Sequence, residues 1–236
     1  MAGKLYQHGT VAELTTGLFE GTLSLDRLLD NGDYGIGTLD GLDGELIIKD
    51  KKAYQIKGDG SVIRLSGEKT VPYAAVTFFH PEQQIKVERE KNSKDIKKLL
   101  TSKLSSLNTF QSVVIKGQFV NLKVRAVEKQ QKPYPSLVEA ARKQVEFEKK
   151  KSSGTIIGFY SPDLFQGIAS AGYHWHFLSD DCLFGGHLLD FKMENGEILL
   201  ETIELFEQHF PIMNPQFMQQ QQDYTNLQKD IKEAEE

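Results

Sequence analysis

The sequence predicts an α+β protein, an α/β arrangement in two domains, with mixed and antiparallel β-sheets and flanking helices. Three observations predict it. Short apolar runs separated by glycine fill residues 34–65 and read as strands joined by tight turns. Two longer segments, 91–106 and 136–151, read as helices with charged outer faces. Strands and helices do not alternate as a regular βαβ series, so a purely parallel sheet is not expected.

Each element has its own reason. Ser24 is a helix N-cap for Leu25, Leu28 and Leu29, and Asn31-Gly32 ends that helix. Strands are expected at 35–39, 45–48, 51–56 and 62–65, with Asp-Gly and Lys-Gly-Asp-Gly turns between them. Residues 71–79 form a further strand. Ile96, Leu99, Leu100 and Leu104 mark the apolar stripe of the 91–106 helix. Residues 112–120 and 121–127 are strands joined through a bend. Lys132-Pro133-Tyr134-Pro135 breaks the chain, because a proline-rich pair fits neither a helix interior nor a central strand. That break sets the expected boundary: residues 1–135 as an N-terminal mixed-sheet domain, residues 136–236 as a C-terminal sheet domain with a tail. Strand 154–160 follows the second helix. Residues 187–193 and 198–205 read as a hairpin across Asn195-Gly196, the pair that type I′ turns favour. In that register His187 faces Glu204.

Composition excludes several classes. Net charge is −5, and no dense basic patch with interleaved aromatics exists, so a nucleic-acid partner is not expected. No apolar run is long enough to span a bilayer, and the first ten residues lack the pattern of a secretion signal; no membrane partner and a cytoplasmic location are expected. Cys182 is the single cysteine, which rules out a disulfide within the chain. No glycine-rich phosphate loop is present.

Chemistry concentrates in Gly172-Tyr173-His174-Trp175-His176-Phe177-Leu178-Ser179-Asp180-Asp181, followed by Gly185-Gly186-His187. Three of the six histidines fall within these positions. On a strand, His174 and His176 project from one face and Tyr173, Trp175 and Phe177 from the other. A third imidazole from a nearby turn or strand completes a three-nitrogen set, the pattern of a catalytic zinc site with a position left for water or substrate. The plainer alternative is a set of ordinary hydrogen-bonded histidines. Glu45, at the mouth of a turn, is a candidate carboxylate for the site, or an ordinary turn residue. Arg125, inside an apolar strand, needs an anionic partner if buried, and its planar fork suits a carboxylate. His80 and His209 read as structural, and His8, near the chain start, has no assigned role.

The histidine block, together with Gly158-Phe159-Tyr160-Ser161-Pro162, Gly167-Ile168, Asp43-Gly44-Glu45 and the Arg125 strand leading to Pro133-Tyr134, resembles α-acetolactate decarboxylase over essentially the whole chain. The resemblance implies a two-domain α/β homodimer with zinc on His174, His176 and His187. It implies that Arg125 faces the substrate and that two glutamates stand near the metal: Glu45, and Glu233 in the tail, with Glu235 and Glu236 close by. The implied reaction is decarboxylation of (S)-2-acetolactate to (R)-acetoin and CO2 through a zinc-stabilised enediolate. Two other readings compete. A cupin-type metal enzyme uses a comparable histidine pattern, and a metal- or small-ligand-binding module would have no catalysis. Anaerobic activity with zinc separates the first, and CO2 release from acetolactate the second.

Overall fold

The computed structural model describes residues 3–219, 221 and 223–235, the side chain of Glu235 excepted. The elements in chain order are β1 (Gly3–His8), α1 (Val11–Thr15), β2 (Leu23–Ser24), α2 (Leu25–Leu29), β3 (Tyr34–Thr38), β4 (Glu45–Lys49), β5 (Lys52–Ile56), β6 (Val62–Arg64), β7 (Thr70–Val71), β8 (Tyr73–Thr77), β9 (Gln83–Val87) and β10 (Lys91–Asn92). They continue as α3 (Ser93–Thr101), β11 (Gln111–Ala126), α4 (Leu137–Ala141), β12 (Val145–Ser161), β13 (Gly172–Ser179), β14 (Gly185–His209), α5 (Pro215–Gln219) and α6 (Leu227–Glu235). Mixed and antiparallel sheet with few helices is the α+β class the sequence predicts. Among the described residues no helix is long and apolar enough to cross a membrane.

Strands β11, β12, β13 and β14 pair in turn, and β14 also pairs with β11, which closes a small antiparallel barrel. The end of β14 continues past the barrel to pair in parallel with β1, and from β1 the sheet runs through β8, β3, β4 and β5 to β6. One long strand thus stitches the barrel to the antiparallel sheet. The boundary expected at residue 135 falls between β11 and β12, which are hydrogen-bonded neighbours. Trp175 and Phe177 on β13 pack with Val113, Phe119, Phe191 and Met193 in one core cluster. The alternate residues of β13 point away from it, as the period of two requires.

Three expectations need correction. Residues 136–151 are not one helix. The capping box of Ser136 and Glu139 starts α4, which stops at Ala141, and Val145-Glu146-Phe147-Glu148 then pairs with Ala126 to Lys123 as strand β12. The alternation of that run has a period of two, and cross-strand pairing outweighs the helix propensity of its glutamates and lysines. The hairpin at Asn195-Gly196 does not exist. Strand β14 runs straight through it, with Asn195 opposite Gln118 and Met193 opposite Phe119, so Glu194 is the extra residue of a bulge. Gly196 has φ +146°, and a Cβ there would meet the Lys116 carbonyl at 2.1 Å, so glycine serves close approach of two strands rather than a turn. With the hairpin goes the pairing of His187 with Glu204, which is exposed. The two strands expected across residue 120 are the single strand β11, bent at Asn121 with φ +51°.

His8 carries a structural role that its position near the chain start does not suggest. It is fully buried; its Nδ1 lies 2.8 Å from Nδ1 of His209, and its Nε2 2.9 Å from Thr22 Oγ1. One ring must donate and the other accept, so the pair holds together while at least one ring is neutral. Burial, then the neighbouring His209 and Arg27, lowers the pKa of His8 to about 4. The unfolded chain takes up this proton near 6.5, so stability is complete above that pH and is lost as pH falls toward 4. The loss is roughly 3 kcal/mol, at about 1.4 kcal/mol per unit. Glu13 and Glu201, each raised by burial to about 7, act in the opposite sense between 4.5 and 7. The expected outcome is that the unfolding free energy of the parent falls relative to that of H8Q between pH 7 and 4.5. A difference between the two proteins that stays constant over this range would refute this.

Candidate metal centre

The site follows from strand register. Arg125 on β11 is opposite His187 on β14, and His187 is opposite His176 on β13, so the three lie in one row across three adjacent strands. Directly opposed residues share a face. His174 lies two residues from His176 on the same strand and joins them. Gly186, with φ +146°, lets this row form: a Cβ there would lie 2.6 Å from the Arg125 carbonyl. The third histidine therefore enters not from a turn but from the first residues of a strand.

The three rings surround one point. Their centroids lie 5.4 Å apart for His174–His176, 4.9 Å for His174–His187 and 5.5 Å for His176–His187. One nitrogen from each lies within 4.8 Å of the others, and among the described residues this is the one such group able to hold a metal ion. The side-chain chemistry fits a cation. His176 Nδ1 donates to the Leu46 carbonyl at 3.0 Å, which fixes the tautomer and leaves a lone pair on Nε2. That Nε2 is buried and has no hydrogen-bond partner. A histidine whose far nitrogen is tied to a carbonyl is the usual arrangement around a bound metal. Burial, then the charge of His174, holds His176 well below the usual imidazole range. Burial and the Arg125 guanidinium do the same for His187. Both are neutral at pH 7 and able to donate a lone pair.

Glu45 reaches the same point from the other sheet. Gly44, with φ +73°, turns the chain so tightly that a Cβ would lie 2.0 Å from the Ile56 carbonyl, and Glu45 then opens β4. Its Oε2 is 3.4 Å from His176 Nε2, with 12% of the side chain exposed. Arg125 is 5% exposed. Its Nη2 donates to the Ala234 carbonyl at 2.6 Å and lies 3.4 Å from His187 Nε2. Among the described residues no carboxylate is paired with it, although a buried guanidinium ordinarily has one. His174, His176, His187, Glu45 and Arg125 all line one cavity of about 60 Å³. Its opposite wall is apolar, from Val11 and Leu14 on α1, Leu42, Val127, and Leu137 and Ala141 on α4.

Glu233 is not brought to this cavity. It lies on α6 with its carboxylate turned outward to Arg142, whose Nε donates to Oε1 at 3.0 Å. The side chain of Glu235, and Glu236, lie outside the described residues. Two contributors are absent from the sequence reading. Gln144 lines the cavity with a buried Oε1 that has no hydrogen-bond partner; its place between α4 and β12 carries no local pattern that would single it out. Helix α6 covers the site with Ile231 and Ala234 buried, and the spacing of Leu227, Ile231 and Ala234 at i, i+4 and i+7 is the signal that could have found it.

The sequence model of the family "Alpha-acetolactate decarboxylase" matches residues 5–223. The α-acetolactate decarboxylase of Lactococcus lactis subsp. cremoris is 40% identical over 232 residues, covering 98% of each chain. That of Streptococcus thermophilus is 40% identical over 235 residues, again covering 98% of both. The crystal structure of α-acetolactate decarboxylase from Bacillus subtilis superposes with a TM-score of 0.95 at 33% identity, covering 98% of this chain and 99% of that one.

Proposed function

Because this chain belongs to the α-acetolactate decarboxylase family, and is by that membership a carboxy-lyase, we propose that it converts (S)-2-acetolactate to (R)-acetoin and CO2 in the three-histidine cavity, with zinc as its resident cation. The observation that carries this is the buried guanidinium of Arg125, without a carboxylate partner among the described residues, beside a trio of converging imidazoles. An anionic substrate supplies the missing charge.

His174, His176 and His187 would hold the ion. When bound, it supplies a Lewis acid for oxygen that gains negative charge as CO2 departs. Arg125 binds the substrate carboxylate through its planar N–H fork. As the carbon–carbon bond breaks, its positive charge stays beside the enediolate left behind. Glu45 takes the hydroxyl proton of the substrate and delivers it to carbon, and the one further proton that acetoin needs on its oxygen comes from solvent as the product leaves. Leu14, Leu42, Val127 and Leu137 take the alkyl groups and keep bulk water from the carbanionic carbon. Protonation from the Glu45 side alone gives one enantiomer of acetoin.

The test is acetoin and CO2 formation from racemic acetolactate by the purified protein, with chiral analysis of the product. Single-enantiomer acetoin formed well above the spontaneous rate is expected. Product at the spontaneous rate from folded, zinc-loaded protein would sink the reading.

We also propose a homodimer. Supporting it, Leu205, Phe210, Ile212, Met213 and Met218 are all exposed along residues 205–218, and apolar surface of this kind ordinarily marks an interface. I212D should shift the mass measured by light scattering from two chains to one. A parent protein that is already monomeric would contradict this.

A further inference from the structure

Helix α6 stands between two spaces. On one side is an open groove of about 1050 Å³, lined by Gln228, Ile231 and Lys232 of α6 and by His187. On the other is the small cavity of the site, with Ala234 on its wall and His187 again shared. A volume of about 60 Å³ is on the scale of a few water molecules, at roughly 30 Å³ each in the liquid. A branched hydroxy-keto acid does not enter it unless a wall moves. Helix α6 lines both spaces with its own residues.

The helix is held lightly. It has nine residues, and an isolated helix shorter than about 12 residues is marginal in water. It is kept in place by Ile231 and Ala234 packed against Val11, Leu14, Leu137 and Ala140. It is also tied by the ion pair of Glu233 with Arg142, the C-cap residue of α4. Through Ala234 it reaches the guanidinium of Arg125 directly.

We propose that Glu233 and Arg142 are positioning residues that latch α6 over the cavity, and that the substrate carboxylate replaces the Ala234 carbonyl on Arg125 when it enters from the groove. The latch rests on the reading of the cavity as the reaction site. It gives the tail two linked tasks. Closed and empty, it satisfies Arg125, which would otherwise be a buried cation short of acceptors. Closed over substrate, it completes the wall that excludes water. Glu233 acts on the reaction only through the position of α6, and moves no proton.

The experiment is a charge swap. The parent, R142E, E233R and the double variant R142E/E233R are compared by hydrogen exchange of the α6 amides, by kcat and KM measured separately, and by bound zinc. Both partners are on the surface, at 66% and 36% side-chain exposure, so the fold should tolerate the changes. Each single variant should speed α6 exchange and raise KM by roughly three- to tenfold, the upper range for an exposed pair turned into a repulsion. The double variant should return both toward the parent. E233Q, a milder change, should show a smaller shift of the same kind. Unchanged α6 exchange in both single variants would overturn the latch. So would a collapse of kcat in E233R and E233Q that R142E does not share and the double variant does not rescue, since that pattern belongs to a proton-transfer group. Failure of the metal reading would appear instead as absent zinc in the parent, before any variant is compared.

Discussion

E45Q is expected to keep its zinc and lose turnover by about 10²–10⁴-fold, the range typical of an acid–base group. The amide preserves the volume and shape of the carboxylate beside His176 Nε2 but cannot carry a proton between the substrate hydroxyl and carbon. The three imidazoles are untouched, because Leu46, not Glu45, fixes the His176 tautomer. The loss should therefore fall on kcat, with KM changed little. Bound zinc, measured on the same sample, separates a lost proton carrier from a lost ion. Full activity in E45Q would remove Glu45 from the mechanism.

Replacing Arg125 should act differently. R125A removes the single buried cation of the row and leaves the substrate carboxylate without a partner. Truncating one member of a buried charged pair costs about 2–5 kcal/mol, so kcat/KM should fall by roughly 30- to several thousand-fold. R125K should recover little of this. Lysine offers a point charge in place of a planar fork, and a fork is what can hold both oxygens of a carboxylate at once. A lysine variant within a few-fold of the parent would mean that charge alone suffices and that the fork has no role. Because Arg125 also satisfies Ala234, a thermal melt of each variant separates a weakened α6 from a weakened substrate contact.

The site was largely legible in the sequence because its core is local. His174 and His176 share a strand whose alternation is visible in eight residues, and that alternation alone puts both imidazoles opposite Trp175 and Phe177. Glu45 could be singled out because Asp43-Gly44 announces the turn before it. Where inference failed, the deciding contacts were distant in sequence. The run Val145-Glu146-Phe147-Glu148 is compatible with helix or strand by composition, and only the presence of β11 alongside decides for strand. Asn195-Gly196 is a strong turn signal in isolation, yet two flanking strands with partners on both sides stretch it into a bulge. His8 looked idle because its partner His209 is some 200 residues away, across a parallel pairing that no local pattern reveals. The position of the tail glutamate was the least legible of all. Its helix is short, and among the described residues the backbone of Ala234 reaches Arg125 while Glu233 faces Arg142.

The central claim is that one cation, held by His174, His176 and His187, is required for decarboxylation. The measurement that tests it most directly is a zinc titration of chelator-stripped protein, following acetoin formation and bound metal together, for the parent and for H176A. Activity in the parent should rise in proportion to zinc and saturate at one ion per chain, while H176A, folded by circular dichroism, should neither retain zinc nor form acetoin above background. Stripped parent protein that remains fully active, or H176A that matches the parent at saturation, would contradict the account.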